Sequence, residues 1–266
     1  MNDNASRFVG SIPENYDTGL GPHIFEPFAN DLARRIGAIA PMSVLELAAG
    51  TGIVSRSIKD ALPGGATLLV TDLNEPMLEV ARSKFSDSEA VSFEAVDATD
   101  LPYPDATFDV VACQFGVMFF PDKPRHYAEA LRVLKPGGKY LFNAWGSWAD
   151  NRFGELGFEV TRRRYPENPP EFYKVPFSYH DRAEIEGALA AAGFASITVE
   201  EVRFSDPIKS VTDFSRGLVF GNPGSAEIEQ RGGNCEEIRQ ELEHDLRDQL
   251  GGRLDLMALV ATATKA

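Results

Sequence analysis

The sequence predicts an α/β protein built on a doubly wound, mostly parallel sheet with helices on both faces. Two observations carry this prediction. Short apolar runs rich in β-branched residues alternate, over the first 145 residues, with segments whose apolar side chains recur at helical spacing. The runs are continuously apolar, which is typical of parallel strands that are covered on both faces. A chain of 266 residues is long enough for one large domain or two small ones.

Seven segments have the composition of strands. They are residues 43–47, 67–71, 90–96, 108–115, 139–145, 196–204 and 254–265. The last of them follows a long helical insertion. We therefore expect the C-terminus to complete the same sheet as the earlier strands.

Helix starts between the strands are marked by capping residues. They are Asn74 followed by Pro76, Asp122, and Asp181 with Glu184 in a capping-box pattern. We expect the turn of Pro136, Gly137 and Gly138 to end the helix that Asp122 begins, and Gly193 to end the helix that Asp181 begins. Two further helices are predicted at residues 209–221 and 234–250.

The charge balance and the apolar patterning exclude several classes of protein. Lys and Arg total 26 against 40 Asp and Glu, so the net charge of −14 argues against binding to nucleic acid or to anionic membranes. No apolar run is long enough for a transmembrane helix, and the polar N-terminus lacks the apolar region of a secretory signal. The chain also lacks an NPPY-type tetrapeptide at a strand end, which would favour an enzyme that acts on a flipped base. The similar NPPE at 168–171 does not follow a predicted strand.

The two cysteines, Cys113 and Cys235, are far apart and form no CxxC pair. We therefore expect neither a disulfide framework nor a zinc site. Cys113 lies in the apolar run FDVVACQF and is predicted to be a buried thiol. This cysteine usage favours a reducing, cytoplasmic location.

A glycine-containing turn, within VLELAAGTG at 44–52, follows the first strand. Gly50 and Gly52 would let the backbone approach a ligand, and the next helix would point its first amides there. Asp72 ends the second strand, 20 residues beyond Gly52, as a nucleotide-binding βαβ unit predicts. A carboxylate at that place can accept hydrogen bonds from ribose hydroxyls.

Two ligand classes fit this unit, a dinucleotide or another adenosine derivative. Ser55 stands where the dinucleotide fingerprint has Gly or Ala, and the Glu46 carboxylate is poorly placed beside a pyrophosphate. Glu46 suits a ligand that carries an amine and a sulfonium. A nicotinamide-dependent oxidoreductase and a non-catalytic nucleotide-binding module stay open as alternatives.

The order of four motifs narrows the choice. The ELAAGTG turn, Asp72, Asp97 at the end of the third strand, and AEALRVLKPGGKYLFNAW at 128–145 follow one another along the chain. In this order the chain resembles the class I S-adenosylmethionine (SAM)-dependent methyltransferases, over roughly residues 12–205. The nearest likeness is to the branch that includes the ubiquinone and menaquinone biosynthesis C-methyltransferases. The resemblance implies a Rossmann-like fold, SAM as cofactor and transfer of its methyl group to a small molecule.

The resemblance also implies which residues hold SAM. The turn would hold the methionine part of SAM through Glu46, Ala48, Gly50, Thr51 and Gly52. Asp72 would take the ribose hydroxyls, and the adenine would lie among Leu73, Met77, Asp97 and Ala98. Gln114, Phe115 and Gly116 would line the methyl-transfer end, and Tyr16, extended by Phe25 and Phe28, would close over SAM. Ala48 replaces the first glycine of the usual motif, and its methyl group is expected to fit with a negative φ.

The same resemblance divides a single domain, 1–266, into parts. They are a SAM-binding core at about 35–146, an N-terminal lid at about 10–34, a substrate cap at about 150–180 and 205–233, and a C-terminal helix and strand at 234–266. The lid and cap are rich in aromatic residues, which favours an aromatic or apolar acceptor, although the same residues can simply build a core. They are Phe25, Phe28, Phe153, Phe158, Tyr165, Phe172, Tyr173, Phe177, Tyr179, Phe214 and Phe220. A homodimer is left open.

No catalytic base and no metal site is assigned from the sequence. His126 and His244 lie in charged helical stretches and are expected to be exposed, whereas His23 and His180 could face the pocket. The RRRY cluster at 162–165 is expected to be a solvated helix face, with a contact to an anionic substrate as the sharper alternative.

Overall fold

A single seven-stranded sheet forms the centre of the protein, described here by a computed structural model over residues 6–266. The strands are β1 (Ser43–Glu46), β2 (Thr67–Asp72), β3 (Val91–Ala95), β4 (Phe108–Gln114), β5 (Leu134–Trp145), β6 (Ala195–Pro207) and β7 (Arg253–Thr264). Their order in the sheet is β3-β2-β1-β4-β5-β7-β6. The predicted fold class and the seven predicted strands are confirmed.

The first five strands pair in parallel, and β7 lies antiparallel between β5 and β6. Tyr140 of β5 is opposite Ala263 of β7, and Val202 of β6 is opposite Ala258. The C-terminal strand therefore completes the sheet, as its position in the sequence predicts.

Helices surround the sheet, and several lie in the segments predicted as lid, about 10–34, and cap, about 150–180 and 205–233; these names are used below for those segments. They are α1 (Ile12–Asn15), a π-helix (Tyr16–Phe25), α2 (Glu26–Gly37), α3 (Ile53–Ala61), α4 (Glu75–Arg82), α5 (Lys123–Val133), α6 (Arg152–Arg164), α7 (Arg182–Ala192), α8 (Val211–Phe220), α9 (Gly224–Gln230) and α10 (Cys235–Leu250). Short 3-10 turns occur at Val117–Phe119 and Phe172–Phe177.

The apolar core lies in two layers, one on each face of the sheet. Side chains alternate across a strand, so Val110 and Ala112 of β4 face one layer and Val111 and Cys113 face the other. Helices α2, α3 and α4 cover the first layer, and α5, α7 and the cap cover the second. Cys113 is fully buried, as predicted.

The capping residues act largely as the sequence predicts. The Asp122 carboxylate accepts a hydrogen bond from the Arg125 amide at 2.9 Å, and the Asp181 carboxylate accepts one from the Ala183 amide at 2.8 Å. Gly193 ends α7 with a φ of +99°.

One predicted helix end is wrong. Helix α5 ends at Val133, and the Pro-Gly-Gly turn already belongs to β5. The Gly137 amide donates to the Lys265 carbonyl, and the Lys265 amide donates to the Gly138 carbonyl, each at 2.9 Å. Hydrogen bonds to the C-terminal end of the chain thus make the turn part of the sheet. The local sequence around the turn does not reveal these distant contacts.

The lid contains a ten-residue π-helix, a rare conformation in which each amide bonds five residues back. At its end the Glu26 amide donates to the Gly21 carbonyl. Its wide turn places Tyr16, Leu20 and Phe25 along one side. The lid crosses α8 where two glycines meet, because a Cβ at Gly19 would lie 2.6 Å from the Gly217 Cα.

Candidate active site

Two adjoining cavities open at the carboxyl ends of β1, β2 and β4. We call the first the strand-end cavity. The second lies between the lid, α6 and α8, and we call it the aromatic chamber. The two cavities share Phe8, Tyr16, Phe115 and Phe119 as walls.

The turn after β1 has an unusual backbone. Ala48, Gly50 and Gly52 have φ values of +51°, +58° and +78°. A side chain at Gly52 would also collide with α4, because its Cβ would lie 2.7 Å from that of Ala81. The expectation of a negative φ at Ala48 is therefore wrong, and its left-handed conformation costs roughly 1–2 kcal/mol.

Asp72 ties the turn to the end of β2. Its Oδ2 accepts the Gly50 amide at 2.8 Å, and its Oδ1 accepts the Asn74 amide at 2.8 Å. Burial raises the pKa of this carboxyl, while these hydrogen bonds act in the opposite direction. Asn74 in turn accepts the Phe8 amide at 3.2 Å and donates to the Ser6 carbonyl at 2.9 Å. The segment before α1 is thereby fixed over the strand-end cavity.

Glu46 is a carboxyl group fully buried beneath the turn. Among the described residues, neither of its carboxylate oxygens finds a hydrogen-bond partner, and the Thr71 hydroxyl bonds only its backbone carbonyl. Burial raises its pKa to about 8, the nearby Ser55 hydroxyl acts in the opposite direction, and the Asp72 charge raises the pKa further. Within residues 6–266, the buried hydroxyls of Thr51 and Ser55 make no hydrogen bond of normal geometry. Unsatisfied buried polar groups are rare, and a cluster of them points to a polar ligand at this turn.

Asp97 shapes the turn after β3. Its Oδ1 accepts the Thr99 amide at 2.8 Å and the Thr99 hydroxyl at 2.7 Å. The side chain is exposed and lines the strand-end cavity beside Val96 and Ala98. One carboxylate oxygen thus forms the turn, and the other is free to meet a ligand.

Phe115 stands between the two cavities in a left-handed conformation, with a φ of +51°. Its amide donates to the backbone and side-chain oxygens of Asn143, both at 3.1 Å. Its ring is stacked on Trp145 with centroids 3.8 Å apart. The preceding Gln114 donates from Nε2 to the Phe25 carbonyl at 3.3 Å and so joins β4 to the lid.

The aromatic chamber is lined by uncharged side chains. Its polar groups are largely engaged with protein atoms. The Tyr173 hydroxyl and the Asn222 Nδ2 both donate to the Leu218 carbonyl, at 3.1 and 2.6 Å, and Asn222 Oδ1 accepts the Gly224 amide at 2.8 Å. A ligand in the chamber would be held chiefly by apolar contact.

Most of the site residues predicted from the sequence line the strand-end cavity. They are Tyr16, Ala48, Gly50, Asp72, Leu73, Met77, Asp97, Ala98, Gln114, Phe115 and Gly116. Glu46, Thr51 and Gly52 lie behind this wall. Phe25 lines the aromatic chamber, but the expected role of Phe28 in the lid is wrong, because that ring is fully buried against Trp145 and Phe204.

The sequence did not indicate several lining residues. Phe8 stands alone in a polar segment, and Asn74 was assigned only as a helix cap, although its side chain bonds residues 6, 8 and 72 instead. Phe119 belongs to none of the motifs, and Trp145 ends the motif at 128–145 without being marked there as a site residue. The aromatic cap residues divide between two roles: Phe153, Phe172, Tyr173 and Phe177 line the chamber, whereas Phe214 is core.

None of the four histidines lines either cavity. The predicted exposure of His126 is wrong. This ring is fully buried, where it contacts the Ala98 carbonyl at 3.0 Å and the Tyr140 hydroxyl at 2.7 Å, and burial lowers its pKa to about 4. His23 is also buried, between the Gly19 carbonyl and the Ser210 amide. His180 and His244 are exposed.

The basic cluster on α6 faces α10. Arg163 pairs with Asp245 at 2.7 Å and Arg164 with Glu241 at 2.5 Å. The three arginines at 162–164 are exposed and line neither cavity, which agrees with the solvated-face interpretation. Across residues 6–266 no group of side chains suited to a metal ion is found, and no helix there is long and apolar enough to cross a membrane.

Comparison with known proteins bears directly on this site. A methyltransferase-domain family matches residues 45–142. The ubiquinone/menaquinone biosynthesis C-methyltransferase UbiE of Saccharophagus degradans is 34% identical over 217 residues, which cover 73% of this chain and 86% of that protein. The demethylmenaquinone methyltransferase of Clavibacter sepedonicus is 40% identical over 108 residues, which cover 41% of this chain and 43% of that protein.

Solved structures share the fold at lower identity. Phosphoethanolamine N-methyltransferase 2 of Haemonchus contortus, in complex with SAM, superposes with a TM-score of 0.61 at 18% identity, over 95% of this chain and 56% of that one. The YcgJ protein of Bacillus subtilis superposes with a TM-score of 0.57 at 23% identity, over 90% of this chain and 98% of that one. The predicted family, its enzymatic nature and its cofactor SAM are confirmed. The chain belongs to the class I SAM-dependent methyltransferases, in the branch of the ubiquinone and menaquinone biosynthesis C-methyltransferases.

Proposed function

We propose that this enzyme transfers the methyl group of SAM to a flat, uncharged small molecule held in the aromatic chamber. The observation that carries the proposal is the junction of the two cavities at Tyr16 and Phe115. On one side lie carboxylates and an amide-rich turn, and on the other lies an apolar space walled by aromatic rings. An acceptor there would meet the cofactor without passing through water.

The strand-end cavity fits SAM by the chemistry of its residues. The partnerless Glu46 carboxylate would meet the positive charge of the methionine part, beside Thr51 and the backbone of Gly50 and Gly52. Asp72 would accept the ribose hydroxyls, and Asp97 the exocyclic amine of adenine, with Leu73, Met77 and Ala98 around the ring. Bound SAM supplies an electrophilic methyl carbon on its sulfonium.

The chain's own contribution is to orient the acceptor and to exclude water. Among residues 6–266, no residue that lines the aromatic chamber is a His, Lys, Asp or Glu. Burial raises the pKa of both Tyr16 and Tyr173, which keeps them neutral. No side chain there is suited to remove a proton at neutral pH. The nucleophile is therefore an atom of the acceptor itself, such as an electron-rich ring carbon. Its bond to the methyl carbon would form as the methyl–sulfur bond breaks and S-adenosylhomocysteine leaves, and the ring carbon would then lose its proton to water as the product is released. The names of the quinone-biosynthesis relatives agree with a quinol-like ring.

The first test is thermal unfolding with SAM, S-adenosylhomocysteine, NAD or NADH. A ligand at about 100 times its dissociation constant adds about 2.7 kcal/mol. We expect SAM and S-adenosylhomocysteine to stabilise the protein, and Asp72→Asn to remove most of that effect. Asp87→Asn, at an exposed loop residue, is the matched control. Stabilisation by NADH alone, or full SAM affinity in Asp72→Asn, would overturn the assignment.

Turnover is tested separately, with SAM and uncharged phenols or naphthols as acceptors and product detection by mass spectrometry. A methylated product formed by the wild type is expected. SAM binding without turnover across such a panel would favour a non-catalytic module instead.

The cytoplasmic location and the homodimer also belong to this proposal. The free, buried Cys113 and Cys235 support a reducing compartment. Cell fractionation tests the location, and light scattering of the purified protein tests the dimer.

A further inference from the structure

Gly154 occupies a position where the backbone does not need glycine. It lies in the first turn of α6, is buried, and has no positive φ. Glycine weakens a helix relative to alanine, so a space requirement is the remaining physical reason for its presence. A Cβ at Gly154 would lie 2.2 Å from Cζ and 2.3 Å from Cε2 of Phe177. The Phe177 ring therefore occupies a notch that only glycine leaves open.

The Phe177 ring is held on its other sides by aromatic neighbours. Its centroid is 5.7 Å from that of Phe153, 6.3 Å from Trp145 and 6.4 Å from Trp148. Both Gly154 and Phe177 line the aromatic chamber. If the notch were filled, the ring would have to move by about 1.5 Å to restore van der Waals contact. Because its other sides are packed, the chamber is the direction left to it.

We propose that the contact of Gly154 with Phe177 sets the width of the aromatic chamber and thereby the number of fused rings that an acceptor can have. The inference rests on the proposed function, since it takes the chamber as the acceptor site. In it Gly154 is a specificity-determining residue: it touches no reacting atom but fixes the position of the wall that the acceptor lies against. The class of ligand is an uncharged aromatic molecule, because the chamber is walled by aromatic and aliphatic side chains.

The substitution that narrows the chamber is Gly154→Ala. Its matched control is Gly187→Ala in α7, a helical glycine at which an added Cβ would meet nothing within 4 Å. Both proteins are saturated with S-adenosylhomocysteine and titrated with phenol, 1-naphthol and 9-phenanthrol by calorimetry. A pocket changed by one methylene typically discriminates by about tenfold or more. We therefore expect Gly154→Ala to bind 9-phenanthrol about tenfold more weakly than the wild type and to bind phenol with nearly unchanged affinity. Gly187→Ala should bind all three probes as the wild type does.

A second variant keeps the test independent of how well Gly154→Ala folds. Phe177→Leu removes the ring edge and is expected to bind 9-phenanthrol at least as tightly as the wild type. The double variant Gly154→Ala with Phe177→Leu should regain the affinity for 9-phenanthrol that Gly154→Ala loses. Such rescue would not be seen if Gly154 acted only on the stability of α6.

Each outcome decides between the two proposals. Equal losses for all three probes in Gly154→Ala, or no loss, would overturn the width inference while leaving the chamber as the acceptor site. If the wild type with S-adenosylhomocysteine bound none of the probes, the proposed acceptor class would fail, and the width inference with it.

Discussion

Replacing Glu46 by Gln should remove a loss of stability that the ligand-free protein suffers as the pH rises. Glu46 is fully buried, and its carboxylate oxygens find no hydrogen-bond partner among residues 6–266. Its pKa in the folded state is about 8 against 4.5 for an unperturbed glutamate. The raised pKa means that the folded protein disfavours the ionised form. The penalty is absent below pH 4.5, grows as the pH rises, and is complete near pH 8.

The size of the effect follows from proton linkage. Each pH unit between the two pKa values costs 1.36 kcal/mol, so the free energy of unfolding of the wild type should fall, relative to that of Glu46→Gln, by about 3 kcal/mol between pH 5 and pH 8. Gln has nearly the same volume as Glu, and the cost of its own unpaired amide does not change with pH. The change in the difference between the two proteins thus isolates the ionisation of Glu46.

The assay is urea unfolding of both proteins at several pH values without ligand. Asp72→Asn serves as a control, because removing the neighbouring charge should lower the pKa of Glu46 and shrink the slope. Addition of cationic SAM should favour the ionised carboxylate, so the affinity of the wild type for SAM should rise with pH and that of Glu46→Gln should not. Parallel pH profiles for the wild type and Glu46→Gln without ligand would refute the reasoning.

Two further predictions concern strained and buried residues. Ala48→Gly should leave the free energy of unfolding unchanged or higher, since about 1 kcal/mol of left-handed strain is released against the added entropy of the unfolded chain. Ala49→Gly, next to it but without a positive φ, should lower that free energy by about 1 kcal/mol; equal losses in the two variants, measured by urea unfolding, would contradict the strain. His126 has its pKa lowered by burial from 6.5 to about 4, so its stabilising contribution is present above pH 6.5 and is lost as the pH falls towards 4. Between pH 7 and pH 4 the free energy of unfolding of His126→Gln should therefore fall by about 3 kcal/mol less than that of the wild type. If urea unfolding gave the same fall for both proteins, burial would not shift the pKa of His126.

Local patterns predict the elements of this fold well because each element satisfies its own rules. The parallel strands are buried on both faces and are therefore continuously apolar, and Asp122 and Asp181 cap helices by bonds to amides two or three residues ahead. The turn after β1 can be recognised in the sequence by its glycines, because the backbone at Gly52 has a positive φ and α4 approaches it closely.

Contacts between distant segments account for the errors. His126 lies on a charged stretch, yet α5 turns it onto Tyr140 of β5, so burial reverses the expected exposure. Phe28 stands near Phe25 in the sequence, but the π-helix directs Phe25 into the chamber while Phe28 follows the α-helical turn into the core. Ala48 has its positive φ in a turn whose Gly50 amide is bonded to Asp72 at the end of β2, a contact between segments that are distant in sequence.

The sequence by itself determined the mostly parallel sheet, the ligand turn and the acids at or just after the ends of β1, β2 and β3, because these depend on spacing along the chain. Only the tertiary structure decided that Glu46 is partnerless, that Phe8 closes over both cavities and that Gly154 gives Phe177 its place. Those features arise where segments tens of residues apart meet, and their burial, strain and free space depend on the packing of those segments, which a periodic pattern does not encode.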